Sequence, residues 1–192
     1  MAINGIEMVT DRTLSDVEIA KSLIRRGFQN LTNSEKEAFL LGLKGAYNYT
    51  DVNRVEGVIE YLSTKLYNVP SEIENYANSL QVAWDKLFSV EYDKTKYLEV
   101  IVKKDWKIQD AFAESDRQRY ISNILLVVSA LLNTDDLPKT LKALTHLGAN
   151  KIEKSLEDVD ISLKKLQKDK ETLIFNTSKS WLYSGEIYGG EI

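Results

Sequence analysis

The stretch GAYNYTDVNRVEGVIEYLSTKL, residues 45–66, decides the fold, because it joins a turn to a strongly amphipathic helix. Gly45 is typical of a helix end, and Thr50 or Asp51 can accept hydrogen bonds from the free amides that begin the next helix. Apolar residues then recur at alternating spacings of three and four, which places them on one stripe: Val52, Val55, Ile59, Leu62 and Leu66. Other helices must cover this stripe.

Capping signals predict a three-helix unit in residues 1–67, with residues 1–12 extended or loosely held. Two segments have the pattern of a capping box, in which a hydroxyl and a carboxylate three residues later satisfy free amides: Thr13 with Asp16, and Thr32 with Glu35. Gly27 is expected to end the first helix, and Gly42 and Gly45 are expected to weaken the end of the second, which Gly45 closes. The third helix is expected to run from about residue 50 to residue 67.

Residues 68–97 are predicted to be a helical linker region. Pro70 disfavours helical geometry in the residue before it, and Ser71 can cap a new helix, so a break is expected here. Bulky apolar residues at helical spacing then predict a helix with an aromatic face: Ile73, Tyr76, Ala77, Leu80, Trp84 and Leu87.

Residues 98–175 are predicted to be helical except at their start, where alternating apolar residues indicate a possible short strand over 98–103. Residues 115–118 have the pattern of a capping box for a helix that reaches about residue 133. A long amphipathic helix is expected from about residue 145 to residue 173. Its apolar seam is stable only if something covers it: Ile152, Leu156, Val159, Leu163 and Leu166.

Residues 176–192 are predicted to form an extended, glycine-rich and aromatic tail. The tail contains a small repeat, YSGEI followed by YGGEI. Its apolar side chains need a surface, either on another chain that the tail docks onto or on its own domain. The candidate docking residues are Trp181, Leu182, Tyr183, Ile187 and Tyr188.

The overall pattern is that of an all-α fold, with a short N-terminal bundle followed by longer amphipathic helices. The 25 basic and 29 acidic residues are interspersed, giving a net charge of −4 that argues against a general nucleic-acid binder. The longest apolar run, residues 121–132, is too short to cross a bilayer, and no signal peptide is expected.

The chain offers little raw material for catalysis or metal binding. It has no cysteine, and its single histidine, His146, lies at a predicted helix start, where a surface or capping role is typical. Four acids on the long helix are expected to form its solvated face: Glu153, Glu157, Asp158 and Asp160. We therefore expect a protein that is not an enzyme and has no catalytic residues, metal or cofactor.

Two polar patches each allow two interpretations. Around the helix junction, the helix N-terminus and Arg54 could hold an anion, or the junction could be a capped turn with Arg54 paired to Asp51 or Glu56. The junction residues are Gly45, Tyr47, Asn48, Thr50, Asp51 and Arg54. In the second patch, residues 105–106 and 117–120, Trp106 could bind a ligand or pack against the bundle.

Several blocks resemble structural proteins encoded in tail modules of phages and prophages of Gram-positive (Firmicutes) bacteria. The first is TDRTLSDVEIAKSLIRRGFQNLTNSEKEAFLLGLKGAYNYTDVNRVEGVIEYLSTKL, residues 10–66. Three later blocks follow in the same order: KKDWKIQDAFAESDRQRYISNI, LTHLGANKIEKSLEDVD and WLYSGEIYGGEI. Residues 68–97 depart from the resemblance, since they read as longer and more helical than the family linker.

The resemblance implies a structural component of a phage tail, baseplate or fibre, acting as scaffold or adaptor between virion proteins. It implies other tail proteins as partners, repeated copies in the particle, and a location in the virion tail after assembly in the host cytoplasm. No nucleic-acid partner or membrane insertion is expected. The alternative is a tail module that binds host cell-surface carbohydrate through Trp84, Trp106 or the tail aromatics.

Overall fold

The computed structural model describes residues 2–79 and 94–186, and it confirms the all-α prediction. A two-stranded hairpin, β1 (Ala2–Ile3) and β2 (Ile6–Glu7), precedes the helices. The helices are α1 (Leu14–Arg26), α2 (Asn33–Leu41), α3 (Tyr49–Ser79), α4 (Glu114–Ser129) and α5 (His146–Glu186).

Helices α3, α4 and α5 pack together around one hydrophobic core. The α3 stripe is buried as predicted, with Val55, Ile59 and Leu62 fully inaccessible to solvent. The α5 seam is buried from Ile152 to Leu163, and only Leu166, 37% exposed, reaches solvent. The chain therefore covers most of this seam itself. The core also joins residues of the predicted 1–67 and 98–175 units in a single cluster.

Residues 2–12 are anchored, with paired strands at Ala2–Ile3 and Ile6–Glu7, so of the two predicted alternatives the extended one holds and the loosely held one does not. Strands β1 and β2 pair antiparallel, with Ala2 opposite Glu7. The loop between them has positive φ at Asn4 (50°) and Gly5 (77°), as a two-residue hairpin loop of the Asn-Gly kind requires. Ile3 is fully buried in the core that α3 and α5 share.

Helices α1 and α2 form an arm beside this core. Both capping boxes are confirmed, since Thr13 accepts from the Asp16 amide and Thr32 accepts from the Glu35 amide. Helix α1 ends at Gly27 as predicted. The buried side chains of α1 and the turn after it lie outside the main hydrophobic cluster: Ala20, Leu23 and Leu31. The arm is therefore a separate layer against the bundle.

Gly45 brings this arm close to the core, and the prediction that it ends the second helix is wrong. Helix α2 ends earlier, at Gly42, whose φ of 98° suits glycine. A Cβ on Gly45 would lie 1.9 Å from the carbonyl oxygen of Asp16 and 2.5 Å from the amide nitrogen of Val17. The backbone of α1 therefore rests directly on Gly45.

Helix α3 differs from its prediction at both ends. Its cap is Asn48, whose side-chain oxygen accepts from the Thr50 amide at 2.9 Å, while the Asp51 carboxylate accepts from the Asn48 amide at 2.9 Å. The helix continues through Pro70 to Ser79, so the predicted break is wrong. Once the buried stripe fixes the helix, extension adds one residue at a time, and the helix continues past Pro70 despite the cost of that residue in a helix interior. Leu80, Trp84 and Leu87 lie outside the described residues.

The predicted strand over residues 98–103 is absent from the described part of the chain, where this segment has no regular structure. It lies against α4 instead, because Arg119 and Asn123 donate to the Ile101 carbonyl at 2.7 and 2.9 Å. Helix α4 begins at Glu114 without a side-chain cap and ends at Ser129, so the box at residues 115–118 is also wrong. Helix α5 runs to Glu186, which corrects the extended tail over residues 176–186, while residues 187–192 lie outside the description.

Gly45→Ala is expected to destabilise the fold, because the added methyl overlaps backbone atoms that cannot rotate away. The expected loss in free energy of unfolding is about 1–3 kcal/mol, measured by urea denaturation. Gly57→Ala in α3 is the control, since its Cβ would meet only side-chain atoms, the flexible ends of Ile6 at 3.1 Å and Lys104 at 3.9 Å. Equal stability of the two variants would show that the arm does not rest on Gly45.

Candidate partner-binding site

A buried ionic cluster fixes the helix junction. Arg12, on the segment before α1, donates at 2.7 Å to Asp51 of α3 and at 2.7 Å to Glu153 of α5. Arg54 pairs with the same two carboxylates, and its distance to Glu153 is 2.7 Å. Arg12, Asp51 and Glu153 are at most 4% exposed. Two guanidinium groups thus balance two carboxylates, and only the Arg54 side chain, 16% exposed, reaches water appreciably.

Hydrogen bonds from the backbone complete this cluster. Asn150 of α5 accepts from the Arg12 amide at 3.0 Å and donates to the Arg12 carbonyl at 2.9 Å. The Val9 amide donates to Glu153 at 2.6 Å. Burial disfavours the charge on Arg12, but Glu153 and Asp51 outweigh it and raise the pKa of Arg12 above its ordinary value. Charge-assisted hydrogen bonds therefore hold the segment before α1, helix α3 and helix α5 together.

The junction residues predicted from the sequence do come together here. Arg54 pairs with Asp51, as the capped-turn interpretation expects, whereas Glu56 pairs with Arg119 at 2.7 Å. The hydroxyl groups of Tyr47 and Tyr120 share a hydrogen bond beside the cluster, and burial raises the pKa of both phenols. Because Asp51 and Glu153 already neutralise the two arginines, the geometry favours a structural junction over an anion site.

The acids of α5 correct a second prediction. Glu153, Glu157 and Asp160 are at most 3% exposed, so they do not form a solvated face. Lys164 pairs with Asp160 at 2.6 Å and Lys154 lies 3.4 Å from Glu157, so lysine stems on the surface reach buried carboxylates. Within residues 2–79 and 94–186, no group of three or more His, Asp or Glu side chains is arranged to hold a metal ion.

An open groove separates the arm from the bundle, and we call it the arm groove. Its cavity of about 660 Å³ is lined mainly by apolar side chains of α1, the 42–49 turn and the 106–112 segment. A second cavity of about 440 Å³ shares Val17, Lys21 and Leu144 with it and extends to the first turn of α5. The charged residues that line the arm groove are Lys21, Lys107, Asp110 and Arg117.

Apolar side chains are also exposed around this groove. Ile24 and Ile108, which line it, are 55% and 50% exposed. Leu14 and Leu147, which line the adjoining cavity, are at least 60% exposed. Only part of the apolar stripe of α1 is therefore buried, and the remainder faces the arm groove and the adjoining cavity.

The remaining predicted residues lie in other surroundings. Trp106 is 5% exposed and packs edge-on against Phe112, with ring centroids 5.0 Å apart, as the packing interpretation expects. It therefore presents no open face for stacking on a sugar. His146 is the first residue of α5, and Trp181, Leu182 and Tyr183 belong to that helix. Trp84, Ile187 and Tyr188 lie outside the described residues.

No described helix is long and apolar enough to span a membrane. Comparisons with protein-family models, with curated proteins and with solved structures gave no match. The resemblance to phage tail proteins therefore stays a prediction. The site must be interpreted from its own geometry.

Sequence reasoning identified Asp51 and Arg54 but missed Arg12, Asn150 and Glu153. Arg12 lies 141 positions before Glu153, and no periodic pattern connects residues so far apart. A local signal did exist for the groove, because glycines at 42 and 45 beside aromatic residues indicate close backbone approach.

Glu153→Gln is expected to reduce the free energy of unfolding by about 3–5 kcal/mol, because it leaves the buried Arg12 and the partly buried Arg54 with one carboxylate. Asp158→Asn is the matched control on the same helix, since that side chain is 43% exposed and pairs only with a surface lysine. Its expected effect is within about 0.5 kcal/mol. Urea denaturation measures both, and a mild effect of Glu153→Gln would mean that the cluster does not hold the junction.

Proposed function

We propose that this protein is a non-enzymatic structural component of a phage or phage-derived tail, baseplate or fibre, acting as a scaffold or adaptor between virion proteins. The observation that carries the proposal is the open, apolar arm groove on a tightly fixed helical bundle. An adaptor needs a surface that keeps its shape and has apolar area left to bury on a partner. The arm groove and the exposed side chains around it supply that area.

The bundle supplies the fixed shape. Three helices share one core, and the Arg12–Asp51–Arg54–Glu153 cluster ties the N-terminal segment to two of them. The arm in front of the groove has few buried side chains of its own. A partner that fills the groove would therefore contact both layers and fix the arm at the same time.

The phage assignment rests on the resemblance of residues 10–66 and the three later blocks. The same resemblance supports assembly in the host cytoplasm, a final location in the virion tail and several copies per particle. Other tail proteins are the proposed partners.

Mass spectrometry of particles purified after prophage induction in the strain that encodes this chain tests the proposal. The protein is expected in the tail fraction at a fixed ratio to other tail proteins. Its absence from purified particles, while present in the lysate, would refute the virion role.

Ile24→Glu is expected to abolish incorporation into particles while leaving the helical circular dichroism spectrum unchanged, because it places a charge at the mouth of the arm groove. Leu98→Glu is the control, since Leu98 is 62% exposed and does not line the groove. Particles carrying each variant are compared by quantitative mass spectrometry. Normal incorporation of Ile24→Glu would show that the groove has no role in assembly.

A further inference from the structure

We infer that the arm groove binds residues 187–192, IYGGEI, of a second copy of this chain, so that copies join head to tail. The inference rests on the proposed function, since it names the partner of the same groove. Three observations carry it: the charge of the groove, the chemistry of the C-terminal residues, and the distance between them along α5.

The groove combines an apolar lining with a positive rim. Lys21 and Lys107 are exposed, and neither side chain forms an ion pair with any described residue. Arg117 has only a 3.5 Å approach to Glu114, and the one acid in the lining, Asp110, accepts from the Lys107 amide at 2.9 Å. A fitting occupant therefore has apolar side chains flanked by carboxylates.

The C-terminal residues have this composition. Ile187, Tyr188 and Ile192 supply apolar side chains, and Glu186 and Glu191 supply carboxylates. Residues 181–192 contain no basic side chain, so nothing in this stretch would be repelled by the lysines. A cavity of about 660 Å³ lies within the range of roughly 300–1,000 Å³ that is typical of ligand pockets, which suits a short peptide with a few large side chains.

The length of α5 prevents the segment from reaching its own groove. The arm groove extends to Leu144, two residues before α5, and its adjoining cavity includes Ala149 in the first turn of that helix. A 41-residue helix is about 60 Å long. Residues 187–192, fully extended at up to about 3.5 Å each, span roughly 20 Å. The occupant must therefore come from another copy.

A contact of this kind is heterologous, because each copy offers a groove at one end and a peptide at the other. Such contacts close into a ring when the rotation between copies allows it, and otherwise extend into a filament. A six-residue peptide in one groove is a small interface, so each junction is expected to be weak alone and strengthened when several close together.

Sedimentation velocity of the full chain over a range of concentrations tests the inference. Wild type is expected to self-associate, and added salt is expected to weaken the association. Deleting residues 187–192 and the double variant Lys21→Glu/Lys107→Glu are each expected to weaken association about tenfold or more. Arg25→Glu/Lys165→Glu, which makes the same change in charge at exposed positions outside the groove, is expected to behave like wild type.

Mixing the two defective proteins separates a head-to-tail contact from a symmetric one. The deletion variant retains an intact groove and the double variant retains an intact C-terminus, so their mixture is expected to form one junction and stop at a dimer. A labelled peptide of residues 185–192 is expected to bind the deletion variant, measured by fluorescence anisotropy, whereas a scrambled peptide is not.

A monomeric wild type together with a peptide that does not bind the groove would overturn the inference. Association that survives both the deletion and the double variant would overturn it too. Neither result contradicts the proposed virion role, because the particle measurements test that role independently. A protein that is found in particles but does not self-associate would leave the proposed function standing without this contact.

Discussion

The balance of two arginines against two buried carboxylates is the constraint on which the arrangement of this protein depends. Arg12, Asp51, Arg54 and Glu153 come from three separate parts of the chain, and of their side chains only that of Arg54 is more than 6% exposed. Each ion is costly to bury alone, so the set is stable only when all four are present and correctly placed. This demand selects one arrangement of the N-terminal segment, α3 and α5, whereas apolar packing alone tolerates several.

Different interactions stabilise the bundle and the arm. In the bundle, the stripe of α3 and the seam of α5 bury each other, and the acids of α5 are paired with cations. In the arm, the capping boxes of α1 and α2 stabilise helices whose apolar sides remain half open. The close approach at Gly45 connects the two layers without filling the space between them. The groove stays open beside this contact, with exposed apolar side chains along it.

The features that could be predicted from the sequence are those that depend on residues close together in the chain. The stripe from Val52 to Leu66 and the boxes at Thr13 and Thr32 depend on residues three or four positions apart, and the structure has them as predicted. The local preference of Pro70 predicts a helix break, but a helix already held in the core overrides it. The prediction that the acids of α5 form a solvated face is wrong because Arg12, which pairs with Glu153, is remote in the chain.

The candidate site was predictable only in part. The junction residues were recognised as a group, and the pairing of Asp51 with Arg54 followed from their spacing. The glycines at 42 and 45 signal a close backbone approach, but the shape of the groove depends on how α1 lies relative to residues 106–112 and 141–144, which are remote in the sequence. The hairpin at Asn4 and Gly5 carried a recognisable Asn-Gly signal. It shows that a two-residue turn can be as informative as a long periodic segment.

The anchoring of the N-terminal segment has a consequence for synthesis on the ribosome. Arg12 is translated 141 residues before Glu153, the acid it needs. At about 5–20 residues per second, roughly 7–28 seconds pass before Glu153 can join Asp51 beside this cation. An intermediate with α3 formed but the N-terminal hairpin undocked is therefore expected until α5 has been synthesised.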